Sequence, residues 1–444
     1  MSSDGCRRLS PEERVSKGIR AERHFLPHVL ASFKLRGQWQ QRTIQYGRFL
    51  VSGKTKNHET GNTLSAIGAP THHFPDGSFA FTIVDDTDFS SVENVKPVYE
   101  LLLDLGFRTT KTVWPLAGAL PNHGYGSSLE EPAYRRFAQD LQRNGVEMAL
   151  HNVQHGTATR ERTLQGLEAF AGHFGHMPSL QCNHETNREN LYWGSARLRN
   201  GARRRMYNAT MLLETADRES AGHVDGSAFF WGDLCRQHVR YVRNLVFREV
   251  NLDSINPSMP YHETSKPWVN RWFSACDGED VERFCRLISE RNQDRLEAEQ
   301  GVCIVYTHLA YGFFDHGRVQ PEFERLLRRL AAKKGWFVPA SEMLDHLALE
   351  RRSATIPEAE IDAMEGRWFK DRLRRKVEVA MAFKAHSWDR FRSAARAGLA
   401  APKSGDSVGE LKPESVPSAT VLQEAGGMKA SCDQGRKILK TGSL

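Results

Sequence analysis

From Phe79 onward, short apolar runs alternate with longer stretches whose apolar residues recur at helical spacing, and this alternation restricts the chain to parallel βα architectures. FAFTIVDD (79–86) is an apolar strand candidate. Ser90-Ser-Val-Glu93 follows it and reads as a capping box that opens a helix to about Leu105, with Val92, Val95, Val98, Tyr99 and Leu102 along one stripe. The pattern returns as RTTKTVWP (108–115) with a helix at 131–143, as VEMALH (146–151) with a helix at 159–173, and as SLQCN (179–183). Later, GVCIVYTH (301–308) is a buried strand, Pro321 to Lys334 a helix and GWFVPA (335–340) a last short strand. Between Trp193 and Asp280 only VRYVRNLVF (239–247) reads as a strand. Repeated units of this kind without a glycine-rich nucleotide fingerprint favour a closed, distorted (β/α) barrel of parallel strands over a doubly wound sheet. In either case chemistry belongs where strands end and helices begin.

A chain of 444 residues is longer than one core needs, so appendages are expected around the barrel. Residues 1–74 read as a basic helical segment and a linker, 75–349 as the barrel, 350–390 as a basic amphipathic helix, and 391–444 as a disordered tail with too little apolar surface to offset ordering entropy. The formal net charge of +7 concentrates in these ends, which makes peripheral contact with an anionic membrane an expected role for them. Nucleic acid is not an expected partner. Seven cysteines without CxxC spacing point to reduced thiols. The opening MSSDGCRRLSPEER has no apolar core, and no apolar stretch of about 18 residues occurs anywhere. A cytoplasmic, membrane-peripheral protein is the expectation.

Chemistry-bearing residues gather at strand ends. Asp85, Asp86 and Asp88 follow the first strand, and His151-Asn-Val-Gln-His155 follows another. Two imidazoles four residues apart share a face if the chain turns helical after His151, which suits chelation of one cation. A carboxylate completing the set would leave coordination positions for water and substrate, as metal-assisted hydrolysis requires. His308 closes the apolar strand VYTHL (305–309), on the same rim.

A strand ending in Asp-Asp, then His-x-x-x-His, then a late strand ending in histidine resembles the polysaccharide deacetylase family, the NodB-homology or carbohydrate esterase family 4 domain, over about Gly77 to Leu347. The resemblance implies that Asp86, His151 and His155 hold a divalent metal ion, zinc foremost. It implies Asp85 as general base, His308 as general acid, and a carbohydrate substrate that loses an N-acetyl group. Three places depart from the family pattern, one being that its Asp-Trp element is not identifiable in this sequence. Thr87-Asp88 stands where the family has glycine, adding a third carboxylate. The arginine that steadies the base is absent after Pro178, where the chain reads SLQCNHETN (179–187), and Asn183 or His184 would take part of its role. Tyr261, His262, Trp268 and Trp272 are candidates for a sugar-stacking wall. The alternatives are a metal-free glycoside hydrolase, a non-haem iron oxygenase, and a catalytically degenerate barrel that binds membrane or glycan.

Overall fold

Strand β1 (Phe79–Asp85) is buried along its whole length, as an apolar strand in a parallel sheet should be, and it is the seam on which the molecule closes. The computed structural model describes residues 74–118, 125–185, 187–210, 220–352 and 355–398. Along the chain, β1 is followed by α1 (Val92–Asp104), β2 (Thr110–Val113), α2 (Pro132–Arg143), β3 (Glu147–Leu150), α3 (Arg160–Phe174) and β4 (Leu180–Gln181). Then come α4 (Gly201–Thr210), α5 (Gly232–His238), β5 (Tyr241–Phe247), β6 (Arg271–Asp277), α6 (Val281–Leu287), α7 (Glu290–Ala298) and β7 (Val302–Thr307).

Strands β1 to β7 pair in sequence order, every pair parallel, and β7 returns to β1 through a six-residue register from Ala80↔Val302 to Asp85↔Thr307. This closes a seven-stranded parallel barrel surrounded by helices. On its other edge β1 is shared. The segment β10 (Gly335–Trp336) pairs with Phe79 and Ala80, while β2 pairs with Val84 and Asp85. A hairpin of β8 (Phe314–Asp315) and β9 (Arg318–Val319) precedes α8 (Pro321–Ala331), and α9 (Ala340–Glu350) follows β10.

The first helix begins one residue later than the sequence pattern suggests. Ser91 is the N-cap, its backbone N–H donates to Asn94 Oδ1 at 2.8 Å, and Asn94 Nδ2 donates back to the Phe89 carbonyl at 2.9 Å. The largest departure from the sequence reading is β6, RWFSACD, whose arginine, serine and aspartate interrupt the apolar run that marks the other central strands.

Two compact units divide at Val379. In the first, the start of helix α10 (Glu358–Gly398) buries Ile361, Met364, Trp368 and Phe369 in the same core as the barrel. The described helix therefore begins near the expected basic helix and runs to Gly398. The expected N-terminal basic segment and most of the expected tail lie outside the described residues. Among the described residues no helix is long and apolar enough to cross a membrane.

Candidate active site

The three aspartates after β1 have three different fates. Asp85, the last strand residue, is completely buried. Its Oδ2 accepts from Lys111 Nζ at 2.8 Å and from Tyr99 Oη at 2.9 Å, and its Oδ1 accepts from the Leu309 backbone N–H at 2.8 Å. Burial opposes the charge on Lys111, but Asp85 more than offsets it and raises the ammonium pKa. Asp85 is thus an internal tie between β1, β2, α1 and the loop after β7.

Asp86 meets Arg243 in a two-point contact of 2.8 and 2.5 Å. Arg243 lies within β5, across the barrel from β1, so its side chain must cross the interior to make that contact. Tyr306 of β7 presents its ring 4.4 Å from the guanidinium carbon. Burial would raise the Asp86 carboxyl, but the Arg243 charge prevails and lowers it.

Asp88 follows in a turn fixed by Ser90 N–H to the Thr87 carbonyl (3.0 Å) and Phe89 N–H to the Tyr125 carbonyl (2.7 Å). Its partners are all imidazoles. His151 Nε2 lies 2.9 Å from Oδ2, His184 Nε2 2.9 Å from Oδ1, and His308 Nε2 3.4 Å from Oδ2.

The far side of each ring decides what these contacts mean. His151 Nδ1 lies 3.0 Å from the Cys182 carbonyl, and His308 Nδ1 lies 3.0 Å from the Glu279 carbonyl. His184 Nδ1 is 2.9 Å from Asn187 Oδ1, whose amide nitrogen donates to the Gln154 carbonyl and to Glu189. All three Nδ1 atoms therefore carry the proton and donate. In the neutral rings each Nε2 is left with a lone pair aimed at a carboxylate, an arrangement that repels unless protons or a metal cation lie between. A ring that donates from one nitrogen and offers the other to a shared centre is the usual second-sphere arrangement of a metal-binding histidine.

Charge balance points to the same place. Asp85 has Lys111 and Asp86 has Arg243, whereas Asp88 faces only groups that can lose their charge. Burial would raise Asp88, but His184 and His151 hold it well below the ordinary carboxylate range. In return, and against burial, Asp88 lifts His184 to about 8 and His308 to about 9. The ligand atoms of Asp88, His151 and His184 lie within 4.8 Å of one another, and so do those of Asp86, Asp88 and His308. One carboxylate and two neutral imidazoles fit a divalent ion such as zinc.

Solved structures to which the chain is similar include peptidoglycan deacetylases. The PuuE allantoinase matches over 64% of this chain and 95% of its own, at 11% identity and a TM-score of 0.37. A mutant of the peptidoglycan deacetylase PdaC from Bacillus subtilis matches over 63% and 94%, at 10% identity and a TM-score of 0.30. The catalytic domain of a peptidoglycan N-acetylglucosamine deacetylase from Eubacterium rectale matches over 62% and 92%, at 11% identity and a TM-score of 0.28. No family model and no curated protein matches the chain.

The other candidates from the sequence are distributed as follows. His155 stands beside the cluster rather than in either ligand set: its ring stacks on Tyr125 at 4.1 Å and meets His184 edge-on at 5.2 Å. Burial and the facing His184 lower its pKa to about 4. Asn183 staples its own loop, exchanging two hydrogen bonds with the Leu191 backbone. His262 bonds the Asn270 carbonyl, and Trp268 packs on Phe230 and against Gly232. Arg243, Asn187, Asn152 and Glu189 were not foreseen. Asn152 Oδ1 accepts from the His184 N–H and its Nδ2 donates to Glu189, so it links the two histidine loops. Arg243 alone carried a sequence signal, since an arginine inside an apolar strand needs a buried anion.

Proposed function

We propose that this protein is a divalent-metal-dependent hydrolase, zinc the foremost candidate, that removes an N-acetyl or related acyl group from an amino sugar or glycan. The supporting observation is the convergence of three Nε2 atoms on Asp88, each ring having its other nitrogen committed as a donor. In this reading Asp88, His151 and His184 hold the ion. When bound, the ion polarises the acyl carbonyl and makes water acidic enough to attack near neutral pH.

The remaining steps belong to the chain. Arg243 keeps Asp86 ionised and fixes its plane, and Asp86 accepts the proton of the attacking water. His308 is placed to protonate the departing amine: its Nδ1 is anchored to the Glu279 carbonyl, so the proton it delivers comes from Nε2. Asp85 positions rather than reacts: through Leu309 it holds the loop that carries His308. The arginine of the family pattern is supplied in this reading by β5. A metal-free glycosidase needs two carboxyl groups facing each other across a sugar ring, whereas Asp85 is fully buried against Lys111 and cannot be the second of such a pair.

Metal content of purified variants, read beside acetate release from N-acetylated sugars, tests the reading. Asp88→Ala and His184→Ala should lose the ion, while Asp86→Asn and His155→Ala should retain it. Retention of metal by Asp88→Ala would refute the proposed ligand set. Wild-type protein that binds no divalent ion would refute the function.

A further inference from the structure

Phe89 is the only phenylalanine, tyrosine or tryptophan that stands exposed among the residues whose burial is described, at 38% of its surface. It also has φ +57°, in the left-handed region that a bulky side chain rarely adopts. The conformation is imposed on both sides. Phe89 donates its N–H to the Tyr125 carbonyl, its carbonyl accepts from Asn94 Nδ2, and Ser127 N–H bonds the Ser90 carbonyl at 2.7 Å. Glycine would suit this backbone better, and the ring is not buried in the core, so neither local conformation nor core packing accounts for phenylalanine here.

The surroundings supply an account. The Phe89 ring lies 6.1 Å from Tyr125 and 5.7 Å from Tyr311, centroid to centroid. Tyr125 stacks on His155 at 4.1 Å, and Tyr311 stacks on His308 at 4.2 Å. The five rings form an arc beside Asp88, with His155 against His184 at one end and His308 near Asp88 at the other. Its exposed middle is an apolar face flanked by tyrosines, a combination that suits the C–H face of a sugar ring with hydroxyls at its edge.

Building on the hydrolase reading above, we infer that Phe89 is a specificity-determining platform on which the pyranose ring carrying the acyl group stacks. Titration calorimetry of the full chain with the trimer of N-acetylglucosamine, with and without chelator, tests this beside Phe89→Gly and Phe89→Trp. Phe89→Gly keeps the left-handed turn while deleting the ring. It should weaken trimer binding roughly tenfold or more, the scale of one aromatic contact, while Phe89→Trp restores it. Kinetically, the loss of kcat/KM on the trimer should exceed the loss on ringless N-acetylethanolamine by about the same factor and appear in KM. Unchanged trimer affinity in Phe89→Gly, equal losses on both substrates, or no trimer binding by wild type would each overturn the platform. Loss of bound metal in Phe89→Gly would also overturn it, by showing that the residue shapes the Asp88 turn. Metal-free, inactive wild type that still binds the trimer through Phe89 would sink only the hydrolase chemistry.

Discussion

Arg243→Met separates the role proposed for Asp86 from that of a metal ligand. The guanidinium makes both of its short contacts to one carboxylate and is itself only 6% exposed, so its loss leaves an uncompensated buried charge. Breaking a buried pair from one side costs about 3–5 kcal/mol, whereas removing both charges is often nearly neutral. Denaturant unfolding of Arg243→Met should show that cost, and Asp86→Asn/Arg243→Met should recover most of it. Activity should behave differently. Without its arginine, Asp86 faces burial unopposed by the strongest of its favourable neighbours and takes up a proton, so turnover falls by about 10²–10⁴, the scale of general-base catalysis, and the double variant regains none of it. Metal stoichiometry should be unchanged in Arg243→Met, in Asp86→Asn and in the double variant because Asp88, His151 and His184 are untouched. Loss of the ion in Arg243→Met or Asp86→Asn would refute this division of labour and return Asp86 to the ligand set read from the sequence.

Three further outcomes follow from the same contacts. Zinc at about 100 times its dissociation constant should stabilise the fold by about 2.7 kcal/mol; a denaturation midpoint indifferent to chelator would contradict the site. Lys111→Met should cost about 3–5 kcal/mol in urea unfolding by stranding Asp85 in the core, and a loss below about 1 kcal/mol would refute the buried tie. Burial lifts Asp277 to about 6 against the pull of Arg283. The folded pKa is therefore above the unfolded one, so this group's contribution is fully present below about pH 4 and is lost as pH rises through about 6, a loss of stability of about 3 kcal/mol by neutral pH. Asp277→Asn should flatten that part of the stability profile, and an unchanged profile would show that the carboxyl ionises freely.

What could be read in advance, and what could not, follows from how far each signal extends along the chain. Strands such as β1 and β7 are buried on both faces and announce themselves as continuous apolar runs; β6 carries Arg271, Ser274 and Asp277, and its burial comes from neighbours that the local pattern does not name. The site shows the same division more sharply. Placing His155 with His151 assumed a helical turn between them, yet Asn152 has φ +54° and α3 begins only at Arg160; the two rings nevertheless flank one neighbour, each 5.2 Å from His184. Asn152 instead turns its amide to the backbone of His184, a residue 32 positions away. Adjacent aspartates carried a similar trap. Successive strand side chains point to opposite faces, so Asp85 and Asp86 could not both enter one pocket while the strand continued, and each has its own buried cation on a different strand. Asp88 lies past the turn, free of that alternation, and no lysine or arginine pairs with it among the described residues. A local motif identifies which residue types are present at the rim. In the reading proposed here, the carboxylate that holds the ion is the one the distant cations leave uncompensated, and that is a property of the closed barrel.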